Sequence, residues 1–305
     1  MEIGCAVPVS GSWATAECCA RVAEWAEELG YRSLWTFQRL LAPVDERGGH
    51  VLDPQYRSVQ DPLAMLAFLA GRTSRARLGV AVLNAPFYSP IVLAKPLTTI
   101  DHLSGGRLDV GIGLGWMREE FAASGVPYDH RGGRTADFVR CLRAIWCDDI
   151  VEYEGPYFRV PRSRVDPKPL QRPHPPVLFG GTAVASLRRA GRMADGWISS
   201  SRAEVGSLAG SIAVVRAAAA EAGRDPHSLR FVCRAVVKVR STTRAPLTGT
   251  LAEVREDLRT LAATGMTEAF VDLNFDPLVG APDADPRSAL RHARMVLEAL
   301  APAGR

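Results

Sequence analysis

Short β-branched or apolar runs recur along the chain, each followed by a stretch with helical spacing, and this repeated strand-then-helix rhythm restricts the architecture more than any single motif. "EIGCAVPV" opens as a strand, and "TAECCARVAEWAEELG" follows with helical spacing and a glycine stop at Gly30. "RSLWTF" is the second strand and "DPLAMLAFLAGRT" its helix, with Asp61 as N-cap and Pro62 in the first turn. "ARLGVAVLN" precedes "SPIVLAKPLTTIDHLSGG", and "RLDVGIGL" precedes "RTADFVRCLRAIW". After Trp146 the rhythm breaks. Residues 148–176 are rich in proline and aromatics without helical spacing, which predicts a small hairpin and an extended crossing segment inserted into the fold. Four more pairs follow: "PVLFGG" with "AVASLRRAGRMA", "GWISS" with "EVGSLAGSIAVVRAAAAEAG", "RFVCRAVVKV" with "TLAEVREDLRTLAATG", and "EAFVDLNF" with "PRSALRHARMVLEAL". Eight such units in 305 residues favour one (β/α)8 TIM barrel, spanning 1–305 with its insertion between strands four and five, over an open doubly wound sheet. A barrel places its chemistry on the loops after the strands.

Charge and hydropathy exclude several function classes. Charge is spread along the chain and nets only +4, which leaves no nucleic-acid footprint. No apolar run approaches the roughly 20 residues that span a bilayer. "MEIGCAVPVSGSW" lacks a basic leader, so a cytoplasmic protein is expected. The six cysteines show neither a CxxC pair nor zinc-like spacing, and no metal site is expected.

The stretch "RLDVGIGLGWMREEFAASG" sets glycines at 111, 113 and 115. A dinucleotide fingerprint needs G-x-G-x-x-G after a first strand, and here Trp116 stands where its third glycine belongs, after the fourth strand. Alternate glycines in a strand instead bare one face, so that a flat ring or a neighbouring backbone can approach. A second glycine pair, Gly180-Gly181, with Thr182 and Ala183, opens the helix after strand five. There free backbone N–H groups and the helix dipole suit a phosphate, with an ordinary Thr182 cap as the alternative.

"LSGGRLDVGIGLGWMREEFAASGVPYDHRGGRTADF" and "PKPLQRPHPPVLFGGTAVASLRRAGRMADGWISS" resemble the luciferase-like monooxygenase superfamily, particularly its coenzyme F420-dependent oxidoreductase branch. The resemblance implies a deazaflavin or flavin at the C-terminal mouth of the barrel. It implies a bulge with a non-prolyl cis peptide at Ala81-Val82, followed by Leu83 and Asn84, propping the ring from behind. It also implies Gly113 and Gly115 beside the ring, a phosphate cradle at Gly180, Gly181, Thr182 and Ala183, and a homodimer. The activity implied is hydride transfer between F420 and an unidentified small organic substrate. The alternatives are an FMN-dependent monooxygenase of the same superfamily and a non-catalytic cofactor-binding barrel.

One corner departs from that branch. Where an acid and a histidine are common after strand two, this chain reads Phe37-Gln38, and neither side chain exchanges protons near neutral pH. The other candidate donors on loops are His50, Tyr88, Glu119, Glu120, Asp129 and His130, with His130 foremost because it follows strand four and histidine is the side-chain type suited to proton exchange near neutral pH. Gln38, the polar group at that corner, is the second candidate catalytic residue beside His130. Glu119 and Glu120 suit a bracing role with Arg118, Arg131 or Arg134, and His102 and His174 suit structural ones. Trp13, Phe37, Phe87, Trp116 and the insertion's Tyr153, Tyr157 and Phe158 are candidate walls of an apolar substrate pocket, with core packing the alternative for each.

Overall fold

In the computed structural model, which describes residues 1–44 and 52–302, eight parallel strands close into a barrel in which each pairs with its neighbours in chain order. They are β1 (Glu2–Ala6), β2 (Ser33–Thr36), β3 (Arg77–Asn84), β4 (Leu108–Gly113), β5 (Val177–Gly180), β6 (Gly196–Ile198), β7 (Arg230–Val236) and β8 (Glu268–Asp272). Eight helices follow them around the outside: α1 (Ala16–Glu28), α2 (Pro62–Ala70), α3 (Pro90–Leu103), α4 (Arg131–Cys147), α5 (Val184–Met193), α6 (Leu208–Glu221), α7 (Leu251–Ala263) and α8 (Pro286–Leu300). The expected (β/α)8 barrel is therefore the fold. Some of its helices begin at side-chain caps. Asp61 accepts from the N–H groups of Leu63 and Ala64, and Thr250 with Glu253 forms a capping box.

Strand alternation divides the apolar residues into two bodies. Leu34, Leu78, Val80, Val110, Ile112 and Phe231 face outward into the large core beneath the helices. Ala6, Trp35, Ala81, Leu178, Ile198, Val232 and Phe270 fill the barrel interior, where the Trp35 and Phe270 rings stack 5.1 Å apart. At the end of the barrel where the strands begin, the interior is charged. Asp109 pairs with Arg77 at 2.6 Å and with Arg230 at 2.7 Å, and Arg230 also reaches Glu268 at 3.0 Å. Trp35 Nε1 donates to Glu268 at 2.9 Å, so the charged layer and the aromatic layer above it are joined. This leaves the opposite end, above Trp35 and Phe270, as the place where side chains thin out.

The insertion is an antiparallel hairpin, Val151–Glu154 with Arg159–Ser163, followed by an extended crossing segment that contains cis Asp166–Pro167 and cis Arg172–Pro173 bonds. Asp137 of α4 holds the hairpin, accepting from Tyr153 Oη at 2.6 Å and from the N–H groups of Tyr157 and Phe158 at 2.9 and 3.1 Å. Asp101 of α3 holds the crossing segment through the N–H groups of Leu170 and Gln171. Strand seven is shorter than its apolar pattern: it leaves the barrel after Val236, and Lys238–Val239 pairs instead with Thr248–Gly249.

Candidate functional site

A cavity of about 350 Å³ opens at the C-terminal ends of the strands, and its floor is made by the third and fourth. Between Val80 and Leu83 the register of β3 on β4 slips, and the Ala81–Val82 bond within the slip is cis. The bulge turns the Val82 side chain toward β4 and β5. A Cβ on Gly113 would collide with Val82 Cγ2, and one on Gly180 would stand 3.0 Å from Val82 Cγ1. A Cβ on Gly111 would strike the Val80 carbonyl oxygen. The alternate glycines are thus explained first by the neighbouring strand. Gly113 does line the cavity, but the volume its side chain would take is filled by Val82 and Asn84, and Val82 becomes the floor. Gly115 lines the same wall in a positive-φ turn (φ +71°) against Phe121.

The far wall comes from the loops after β5 and β6. Gly180, Gly181 and Thr182 line it, with Ser199, Ser200 and Ser201 beside them. Trp197 Nε1 donates to the Gly181 carbonyl at 2.8 Å, which fixes the glycine loop. Helix α5 starts at Val184 with no side-chain cap on Ala183; the Ser186 N–H bonds the Ala183 carbonyl at 2.8 Å, which leaves the first two N–H groups of the helix for another acceptor. Ala183 itself is exposed and lies outside the lining. The serines stand at the end of "GWISS", where a polar run after a strand is a weaker signal than a glycine pair.

The near wall holds Phe37, Gln38, Arg39, Tyr56 and Trp116. Arg39 lies between two rings, 4.7 Å from the Tyr56 centroid and 4.9 Å from that of Trp116. It pairs at 2.9 Å with Glu120, which also accepts from the Leu40 N–H. Glu120 is therefore a buried brace, as its type suggested, but its partner is Arg39 rather than Arg118, Arg131 or Arg134. Gln38 is spent on structure: its Oε1 accepts from the Asn84 N–H at 2.8 Å and its Nε2 donates to Tyr88 Oη. Burial, helped by Asp61 and opposed by the Gln38 hydrogen bond, pushes the Tyr88 hydroxyl up to about 12.

Several expected residues lie elsewhere. His130 is exposed, with φ 56°, ahead of α4 and outside the cavity, because the short helix Arg118–Ala123 carries the chain away before it turns back. Trp13 is wholly buried in the outer core. Phe87 packs edge-on against Phe121 at 5.0 Å, and Phe158 packs on Phe138 in the hairpin with Tyr153 and Tyr157 nearby, not on the cavity. His102 bonds the Lys168 carbonyl and His174 stacks on Trp146, both structural as expected. His50 lies outside the described residues. Among the described residues the cavity lining includes no carboxylate and no histidine. Its cations are Arg39 and Arg234, and Arg234 was not singled out from the sequence.

The family model for luciferase-like monooxygenases matches residues 6–246. The FMNH(2)-dependent dimethylsulfone monooxygenase of Pseudomonas putida is 33% identical over 225 residues, covering 73% of this chain and 58% of its own length. Among solved structures, the monooxygenase RslO1 from Streptomyces bottropensis superposes with a TM-score of 0.78 at 23% identity, covering 98% of both chains. An F420-dependent secondary alcohol dehydrogenase in complex with an F420–acetone adduct superposes with a TM-score of 0.77 at 16% identity, again over 98% of both. The sequence relative and the second structural neighbour are named for different cofactors, and the family-model match settles the family: this chain belongs to the luciferase-like monooxygenases.

Proposed function

We propose that the protein is a cytoplasmic, homodimeric F420-dependent oxidoreductase that transfers a hydride between the deazaflavin and a small organic substrate. The observation that carries this reading is the cavity itself. Val82 is wedged between Gly113 and Gly180 to form an apolar floor, and the Gly181–Thr182 loop ahead of an uncapped helix stands at one side of it. Such a floor suits the face of a flat ring, and such a helix start suits a phosphate. The residues present fit the group: Ala81, Val82, Asn84 and Gly113 would back the ring, and Gly180, Gly181, Thr182 and Ser199–Ser201 would hold its phosphate. When bound, F420 supplies a carbon centre that gives or takes a hydride. The chain's own residues orient the partners and exclude water. Phe37, Tyr56 and Trp116 wall the space, and the Arg39–Glu120 pair ties the loop after β2 to the loop after β4. Among the described residues the lining holds no carboxylate or histidine, and on this reading a proton needed at the substrate comes from solvent or from the substrate itself.

Reduced FMN with oxygen chemistry is the second reading, favoured by the identity to the Pseudomonas putida enzyme and by that same shortage of proton-active side chains. Equilibrium titration of the purified protein with F420 and with FMN in parallel separates the two. F420 binding with negligible FMN binding supports the first reading, the reverse ratio moves the assignment to the second, and binding of neither removes both. Sedimentation of the same sample tests the dimer.

A further inference from the structure

Arg234 lines the cavity, almost wholly buried, with one terminal nitrogen of its guanidinium unpaired among the described residues. It follows Arg230 and Val232 on the inward face of β7, and its side chain is 8% exposed. Nε donates to Asp272 Oδ2 at 2.7 Å, while Asp272 Oδ1 is taken by the backbone N–H and the side-chain Nδ2 of Asn274. Nη1 reaches across the barrel to the Ala81 carbonyl at 3.4 Å. The Phe37 and Phe275 rings hold the guanidinium plane, at 4.4 and 4.8 Å. Nη2 has no hydrogen-bond partner among the described residues, and it is the one terminal guanidinium nitrogen in that condition among their buried side-chain atoms. A buried donor without a protein partner calls for one, and a bound water or a ligand can supply it.

We propose that Arg234 recognises the substrate, and that the substrate carries an oxyanion, such as a carboxylate, that docks on the guanidinium where Arg234 lines the cavity and supplies the partner Nη2 lacks. Position separates this cation from the phosphate wall. The glycine loop and serines come from the rim after β5 and β6, whereas Arg234 reaches the Ala81 carbonyl beside the bulge and lies under Phe37, which lines the cavity with Tyr56. An Arg fork pre-fixed by a carboxylate on one edge and rings on its faces binds an oxyanion with little further ordering. The assignment rests on this cavity being the substrate site and not on which cofactor occupies it.

The test is calorimetric titration with sodium benzoate, an aromatic monocarboxylate probe, and with neutral benzamide. It is run on the protein alone and on protein saturated with F420 or FMN. Benzoate is expected to bind wild type, to bind Arg234→Met about 30-fold more weakly and to bind Arg234→Lys with intermediate affinity, while benzamide does not distinguish the three. Because Arg234→Met strands Asp272, the double variant Arg234→Met/Asp272→Asn is measured alongside to keep a folded comparison. Equal benzoate affinity across the series, or none for wild type, overturns the proposal. A loss confined to reduced-cofactor affinity, with benzoate binding unchanged, overturns it too, because the oxyanion is then on the cofactor ring. If neither cofactor binds but benzoate affinity still follows residue 234, the cofactor reading fails and this assignment stands.

Discussion

Gly111 and Gly113 sit two residues apart on one strand, yet a methyl group at each meets a different neighbour. At 111 it meets the Val80 backbone carbonyl, which can yield only if β3 moves, so Gly111→Ala is expected to cost ~1–3 kcal/mol or more in denaturant unfolding. At 113 it meets the tip of Val82 and the Asn84 side chain, which can yield by moving into the cavity. Gly113→Ala should therefore weaken cofactor binding by about tenfold, ~1.4 kcal/mol, with a smaller loss of stability. A stability loss at 113 with unchanged cofactor affinity would show that Val82 is not the floor. The sequence made the glycines visible and left both a ring and a backbone as candidates for the bare face; only the register slip in β3 shows that the neighbouring strand takes the space. Arg234 was harder to read. Alternation places it on the apolar inward face of its strand, but the acid that makes a cation tolerable there, Asp272, lies 38 residues away on another strand.

At the scale of elements, the insertion depends on one side chain of α4. Asp137 accepts three hydrogen bonds from the hairpin, one from the Tyr153 hydroxyl and two from the backbone at Tyr157 and Phe158. Hydrogen bonds to a charged acceptor contribute roughly 1.5–3 kcal/mol each, and they are not additive. Asp137→Ala should loosen the hairpin, and limited proteolysis should then cut within residues 151–163 well before the barrel is attacked. Because no hairpin residue lines the cavity, cofactor affinity should stay within about twofold of wild type, well under 1.4 kcal/mol. A matching loss of affinity would mean that the insertion closes over the site. The existence of the hairpin was legible from its proline and aromatic content, as were the helix starts at Asp61 and Thr250, because these signals are local. The end of β7 was not. Lys238 and Val239 continue an acceptable strand pattern, and what removes them from the barrel is their pairing with Thr248 and Gly249.

For the molecule as a whole, closing the barrel buries a charged layer whose ionisation bounds stability on the acid side. Burial opposes ionisation of Asp109, but its hydrogen bonds and charge contacts with Arg77 and Arg230 outweigh that and hold the carboxyl below its ordinary range. Glu27 is likewise opposed by burial and held down by the N–H groups of Ala76, Arg75 and Ser74. A folded-state value below the unfolded one means that the stabilisation is complete above the unfolded value and is lost as pH falls through the folded one. Stability should therefore be level above about pH 5 and drop below about pH 4. Asp109→Asn, which leaves two arginines facing a neutral group, should cost ~3–5 kcal/mol at neutral pH and flatten the acid limb. On the alkaline side the direction reverses. Burial, together with the neighbouring Cys18, raises the Cys19 thiol to about 12, and burial raises Cys5 and Tyr31 as well. Each is neutral in both states at neutral pH, but above about pH 9 the unfolded chain ionises first and gains the advantage. Thermal midpoints measured from pH 3 to 11 should trace a plateau with two falling limbs. Cys19→Ala should soften only the alkaline limb, and an acid limb unchanged in Asp109→Asn would mean that other carboxylates, not the charged layer inside the barrel, set the acid limit.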